Sequence, residues 1–415
     1  MFIQIHMLQS MPPGNLNRDD TGQPKKCLFG GVTRGRISSQ CLKRNMRLSS
    51  LFQDAFGGAV ANRTKYLPRL VGEALATAGG VAEEEIEGVK TGIAGLFKKE
   101  SKGESDGEDG GDTGEATGAD VTPQLVFFPP PFAAKVASLV LELKKRHPKA
   151  YAKLIGRKEK RSKDEDKAAD EAIAEFKRAA FHAKEAMSVD VGLFGRMTTS
   201  DLIADVEAAC QVAHAISTHE ALVEGDYFTA MDDRQHEFIT SQTQSGGAAF
   251  LGSGDTVTFF NSAVYYKYLN LDTDALMKTL GTTGAAHARR AAAVLLQAAA
   301  LATPTGKQNS FAAHSVPELI LVEVSPTKQP ISYANAFLEA VEGDDLMKAS
   351  AQALNNYCTS IAAAYAPAGT ERFLLAVGSA TKAPFDVQAK RVGTLADLAS
   401  AVEKAASAPA KAGVA

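Results

Sequence analysis

Arg18, Lys25, Lys26, Arg34, Arg36, Lys43, Arg44 and Arg47 crowd into the stretch Asn15–Arg47, where only Asp19 and Asp20 oppose them. The local balance is 8 − 2 = +6 in a chain whose formal net charge is −3. Cations set among Gly, Ser, Asn and Gln suit a surface that follows a phosphate backbone. Gln40, Lys43, Arg44 and Arg47 fall at i, i+3, i+4 and i+7. A helix there carries one amide and three cations on one face, with Cys41, Leu48 and Phe52 for burial opposite. Ser38 or Ser39 just ahead is a natural N-cap, and the N–H groups and dipole of such a helix start attract anions. Asn15, Asn17 and Arg18 sit in a loop. The two amides can bond sugar hydroxyls or phosphate oxygens, or close the loop on itself as Asx-turns, while an Arg can fork two phosphate oxygens. Lys26, Arg34 and Arg36 flank a Gly30-Gly31 bend and complete the basic set.

Other chemistries fit the residues less well. His214 and His219 are five apart in an expected strand, point to opposite faces, lack a carboxylate to complete a metal site, and read as satisfied core histidines. Asp19 and Asp20 form a weak catalytic motif without a His or Lys. Pairing with Arg18 or Arg36, or holding the loop, suits them better. The four cysteines (Cys27, Cys41, Cys210, Cys358) make no C-x-x-C pair, which argues against a zinc ribbon or a disulfide scaffold and fits a reducing cytosol. No apolar run approaches the ~20 residues of a transmembrane helix. The start, MFIQIHMLQS, lacks the basic region of a signal peptide. A soluble cytoplasmic protein without membrane contact, metal or cofactor is expected.

The elements that must position these residues alternate in type. Phe2–Leu8 reads as a strand leading into the polar loop and the basic helix. From about Thr64 to Ala186 the pattern is helical, interrupted at Lys98–Asp120 by an acidic, Gly-rich stretch with almost nothing apolar to bury, expected to be a flexible loop. Ala133–Lys145 reads as a helix, and the mixed charges of Arg157–Lys177 as a solvated face. Beyond Met187, strands are expected at Ser188–Phe194, Gln211–Leu222, Thr256–Tyr268, Glu318–Val324 and Phe373–Val377. Helices are expected at Asp274–Leu301, Tyr333–Val341, Leu346–Ala363 and Leu395–Ala406. This order describes an α+β sheet with helices on one face.

Several blocks together carry a resemblance. N-L-N-R-D-D (15–20), F-G-G-x-x-R-x-R-I-S-S-Q (29–40) and L-K-R (42–44) are followed by GRMTTS (195–200), AHAISTHE (213–220) and DYFTAMDD (226–233). TGKQNSFAA (305–313) and SYANAFLEAV (332–341) complete the series. In this order they resemble the CasC family, the repeated backbone subunit of the type I-E CRISPR Cascade surveillance complex. The resemblance implies an RRM-like (ferredoxin-like) palm over 1–63 and 187–415, a helical insertion over 64–186, and an extended β-hairpin thumb at about 223–255. It further implies a non-catalytic subunit binding guide RNA (crRNA), identical neighbours, other Cascade subunits and, by way of the guide, target DNA. Ser38, Ser39, Gln40, Lys43, Arg44 and Arg47 inherit the phosphate-holding role. Arg196, Met197 and Phe228 match positions that kink the guide, where apolar wedges unstack bases. Lys307 and Gln308 match another RNA contact. Two alternatives stand beside this: a stand-alone RRM-like RNA-binding protein, although no aromatic K/R-G-F/Y strand is found, and a loop-aspartate ribonuclease of the type III kind.

Overall fold

The computed structural model describes residues 1–57, 59–97, 118–181, 187–198, 202–227, 230–231, 248–249 and 257–407. Contacts divide the chain into two units, Met1–Phe52 with Cys210–Asp274 and Arg289–Ala415, and Gln53–Ala209 with Ala275–Ala288. In chain order the elements begin with strand β1 (Phe2–Gly14), strands β2 (Lys26–Phe29) and β3 (Val32–Ile37), and helices α1 (Ser39–Leu48) and α2 (Ser50–Phe56). Next come β4 (Asn62–Thr64), α3 (Leu67–Ala78), α4 (Glu83–Leu96) and β5 (Val126–Phe128). Helices α5 (Phe132–Arg146), α6 (Pro148–Leu154), α7 (Lys163–Phe181) and α8 (Val189–Phe194) follow. Then come β6 (Cys210–Val212), β7 (Ala215–Ser217), β8 (Glu224–Tyr227), β9 (Ala230–Met231), β10 (Ala248–Ala249) and β11 (Val257–Asp272). The chain continues with α9 (Thr273–Leu301), α10 (Gln308–Phe311), β12 (Leu319–Ser325), α11 (Leu346–Tyr365), β13 (Glu371–Ala376), β14 (Lys390–Arg391) and α12 (Leu395–Ser407).

The long first strand is apolar on alternate residues and nearly all of it is buried, so it takes the centre of the sheet. Ile5 lies opposite Leu269 of β11 on one side and Val322 of β12 on the other, both antiparallel. The sheet order is β14-β13-β12-β1-β11-β7-β3-β2. Its middle, β12-β1-β11-β7, is the antiparallel order of a ferredoxin-like βαββαβ fold, with α1 following the first strand and the last turns of α9 preceding β12. The fold is α+β, as the sequence implies. On one face, Leu8, Tyr266 and Leu321 of the sheet pack with Tyr333, Phe337, Met347 and Leu354. Each such side chain contributes ~1.5–3 kcal/mol by leaving water.

That face also holds a buried polar group. Tyr333 donates to Glu323 Oε2 at 2.9 Å, Arg372 Nε donates to Oε1 at 2.6 Å, and His6 Nε2 lies 3.5 Å from Oε2. Burial pushes the Glu323 carboxyl up, but His6 and Arg372 outweigh it and hold it down to about 2. Elsewhere in this unit Lys267 Nζ donates to the Ala299 carbonyl at 2.6 Å, one of the open carbonyls at the end of α9, and burial drives its ammonium down to about 7.

The second unit is mostly helical. Leu67, Val71, Val89, Ile93, Phe132, Val136, Val140, Tyr151 and Phe176 form its core, drawn from α3 to α7. Glu85 ties the outside together, accepting from Lys144 at 2.8 Å, Arg157 at 2.9 Å and Tyr151 at 3.2 Å.

Four expected elements differ. Asp274–Leu301 is not one helix, because Gly281 takes a non-helical backbone (φ 68°, ψ −168°). Ser188–Phe194 is helix α8 rather than a strand. Every residue from Val189 to Leu193 is buried, so the polar–apolar alternation carries no directional information, and Asp190 is spent on the Ala61 N–H at 2.9 Å. Tyr333–Val341 keeps only a short 3₁₀ turn, Ala334–Phe337, because its carbonyls and N–H groups bond other segments. Gln211–Leu222 splits into β6 and β7 around Ala213 and His214. The acidic stretch, apart from its last three residues, lies outside the described residues, as does most of the expected thumb.

Candidate nucleic-acid interface

The basic stretch forms a loop, a hairpin and a helix. Asp19 organises the loop: its Oδ1 accepts from Thr21 N at 3.0 Å, Thr21 Oγ1 at 2.7 Å and Gln23 N at 3.0 Å. The Thr21 hydroxyl leads in holding its carboxyl below the usual range, with the backbone donors and Lys26 adding to it against the opposing effect of desolvation. Asn15 is buried and its Nδ2 donates to the Gly22 and Phe259 carbonyls at 2.9 and 2.8 Å. Asn17 Oδ1 accepts from Ser38 N at 2.8 Å, joining the loop to the start of α1. Both amides therefore brace the loop, though neither closes an Asx-turn. Arg18 is exposed on its outside.

The hairpin was missed in the sequence, where only its bend was legible. Gly30 and Gly31 both have positive φ, +63° and +83°, as a two-residue hairpin turn of the primed type requires. At Gly30 a Cβ would also fall 1.6 Å from the Leu338 carbonyl oxygen, so the tip is pinned by close approach. Burial along β3 separates Arg34 from Arg36. Arg34 is fully buried, and its guanidinium donates to the carbonyls of Phe29 (3.1 Å), Ser217 (3.2 Å), Phe337 (2.9 Å) and Leu338 (3.4 Å). It clamps the hairpin, and it does not face solvent. Lys26 is exposed and Arg36 partly so. Cys27 and Cys41 are pushed up by burial, against the pull of Arg36 and Arg34 on the first and of Arg44 and Lys25 on the second.

Helix α1 begins as expected. Ser38 is the N-cap, its Oγ accepting from Cys41 N at 3.3 Å, and Ser39 opens the first turn. Leu42, Asn45 and Met46 face inward, rather than the expected Cys41 and Leu48. Leu48 is exposed, and Phe52 is buried from α2 instead. Gln40 and Arg44 are exposed, and Lys43 and Arg47 half-buried along their stems. No acid stands in the first turn, so nothing on the helix opposes an anion at its start.

Two residues outside the expected set join this surface. His214 is exposed, not in the core, and its Nδ1 accepts from Ser39 N at 3.4 Å. The Arg36 N–H donates to the Lys25 carbonyl at 2.8 Å, which sets Lys25 beside β3. No spacing in the sequence marks His214, because its place follows from the pairing of β3 with β7. Lys307 is exposed with a left-handed backbone (φ 51°), whereas Gln308 turns inward and donates to Pro304 O at 2.9 Å. Gly306 brings this loop to the first one, since a Cβ there would lie 2.6 Å from the Asn15 and Leu16 carbonyl oxygens.

The expected kink residues lie in another part of the chain. Arg196 and Met197 belong to the second unit. The Arg196 guanidinium donates to Ala204 O at 2.9 Å and Phe127 O at 3.4 Å, and burial lowers its pKa, so it is spent on its own chain. Met197 is 87% exposed. Phe228 lies outside the described residues. Among the described residues no group of three or more His, Cys, Asp or Glu side chains could hold a metal ion, and no helix is long and apolar enough to cross a membrane.

Known proteins place this surface in context. A solved chain described as a "CRISPR RNA-guided surveillance complex, pre-nicking" is 28% identical, with a TM-score of 0.75 over 98% of this chain and 100% of that one. A second, described as a "CRISPR RNA-guided surveillance complex", is 24% identical, with a TM-score of 0.67 over the same shares, and supports the fold. A comparison with curated proteins found no match. The family model described as CT1975-like protein matches residues 3–401, and the chain belongs to that family.

Proposed function

We propose that the chain is a non-catalytic backbone subunit of a type I-E CRISPR surveillance complex, present in several copies along one guide RNA. Each copy holds the RNA phosphates independently of sequence, and guide–target pairing reads the DNA. The observation that carries this reading is the row of outward cations at the start of α1 and on the loops beside it. Arg18, Lys25, Lys26, Arg36, Lys43, Arg44 and Lys307 reach solvent there, and none of the ion pairs among the described residues involves them. The likeness to a surveillance-complex chain over nearly the whole length supports the same assignment. Met197, held out in solvent, suits displacement of a base, and the thumb would act on the next subunit. Identical neighbours, other Cascade subunits and target DNA are the partners, and no cofactor takes part. The cysteines are free thiols, in keeping with the cytoplasm.

The test is a salt series. Replacing Lys43, Arg44 and Arg47 together by Ala weakens RNA binding alike for unrelated sequences. It lowers the slope of log affinity against log salt by about 2, since each lost phosphate contact on a single strand removes ~0.7. An unchanged slope would sink the proposal.

A further inference from the structure

We propose that His214 is a proton-linked contact for the RNA backbone: neutral, it occupies the first amide of α1, and protonated, it releases that amide and adds a cation to the phosphate there. The inference rests on the RNA-binding reading above and names the residue that couples that site to pH.

The strand register sets the geometry. Arg36 lies opposite Ile216 and Ile37 opposite Ala215, so one further step brings Ser38 level with His214. The Ser39 N–H then donates to Nδ1 at 3.4 Å, long for a bond of this kind. A ring nitrogen that accepts an N–H carries no proton, so this is the neutral imidazole protonated on Nε2. Adding a proton at Nδ1 turns the acceptor into a second donor. Two N–H groups then face each other, and the contact must open. Ser39 is left with an amide open to water or a ligand at the positive end of a ten-residue helix.

The surroundings give the switch its direction. The charged groups that act on His214 are cations, Arg36 of β3 and Lys25 of the preceding loop, while α1 presents the Ser39 amide and the neutral Gln40. Desolvation first, then those two cations, hold the imidazole below its usual range in the free protein. A phosphate at the helix start reverses the balance, because a nearby anion favours the charged imidazole. Binding therefore takes up a proton, and lower pH tightens it. His219 is no rival. It is half-buried, with Nδ1 on the Glu220 carbonyl at 2.6 Å and Nε2 accepting from Val264 N at 3.1 Å.

Anisotropy titrations of a labelled single-stranded RNA with the full chain, at constant ionic strength and at about pH 6 and about pH 8, test the link. The parent chain is expected to bind several-fold tighter at the lower pH, because a bound phosphate favours the protonated imidazole. His214→Gln flattens the dependence. His214→Arg, always charged, binds tightly at both values. The same pH dependence in the parent and in His214→Gln, or level binding in the parent, overturns the proton link and leaves the RNA-binding reading standing. A parent chain that binds no RNA at either pH overturns both.

Discussion

The mixed-charge stretch Glu142–Asp170 and the basic stretch Asn15–Arg47 are both rich in cations, yet they use them differently. In the first, Arg146 meets Glu142 at 3.0 Å, Lys153 meets Asp170 at 2.7 Å, Lys149 meets Glu165, and Lys144 and Arg157 converge on Glu85. These five cations are each paired with an acid of the helical unit. In the second, none of the ion pairs among the described residues involves Arg18, Lys25, Lys26, Arg36, Lys43 or Arg44. The one acid at the heart of the loop, Asp19, is occupied by Thr21 and Gln23. The two stretches therefore differ in how their cations are paired rather than in being rich in them. Arg34 adds a third case, a cation satisfied by carbonyls and buried where no ligand reaches.

That third case gives the largest expected effect. Arg34→Ala removes a charged donor from four carbonyls on three segments, and should lower the free energy of unfolding by about 3 kcal/mol. Arg36→Ala, two residues along the same strand, should leave stability nearly unchanged and weaken RNA binding instead. Urea denaturation beside RNA titration separates them. Equal stability losses for both would erase the distinction between clamp and contact.

The comparison sharpens when the two stretches are mutated in parallel. Lys43, Arg44 and Arg47 to Ala should reduce RNA affinity and its salt slope, as set out above. Lys144, Lys149 and Lys153 to Ala removes the same number of charges and should leave both unchanged, because those lysines are already neutralised. A similar fall in the two variants would mean that total charge, rather than charge placed on α1, governs binding.

Much of this was legible in the sequence, and the losses have physical causes. Alternation along Phe2–Leu8, the aromatic and β-branched run beginning near Thr256, and the spacing of Gln40, Lys43, Arg44 and Arg47 each reflect one dominant neighbour, so local pattern was enough. Arg34 and Arg36 could not be told apart, because residues two apart share a strand face and only the carbonyls that close over the Arg34 guanidinium distinguish the two. The segment Tyr333–Val341 has helical composition, but Arg34 takes the Phe337 and Leu338 carbonyls and Thr218 takes the Val341 N–H. Only a 3₁₀ turn survives that competition. His214 was misplaced for a similar reason: its exposure follows from a break between β6 and β7 that periodicity does not show.

On the paired side, Glu85 is the acid on which the network depends. Hydrogen bonding from Lys144 leads in holding its carboxyl below the usual range. A depressed carboxylate stabilises the fold above its unfolded value, and that contribution fades as pH falls through the folded value. Glu85→Gln should therefore cost about 1 kcal/mol near neutrality and nothing further in strong acid. Thermal melts across that range check the sign. A deficit that grows as pH falls would show that Glu85 acts by packing rather than by charge.

The smallest effect is expected at Asp19, where the comparison also meets the ribonuclease alternative. An amide keeps the Oδ1 acceptor that Thr21 and Gln23 use, so Asp19→Asn should preserve the turn. The substitution removes one negative charge from beside Arg18 and Lys26, and RNA binding should tighten slightly, by about twofold or less at ordinary salt. A hydrolytic aspartate behaves in the opposite way. Its carboxylate must be free to hold a metal or take a proton, and its amide counterpart abolishes cutting. Asp19 instead has one oxygen accepting three donors, which commits it to shaping the loop. Incubating the parent chain and Asp19→Asn with magnesium and RNA complementary to a bound guide should leave that RNA intact in both. Regularly spaced cleavage by the parent, lost in Asp19→Asn, would place chemistry in the loop and overturn the assignment of this surface to holding alone.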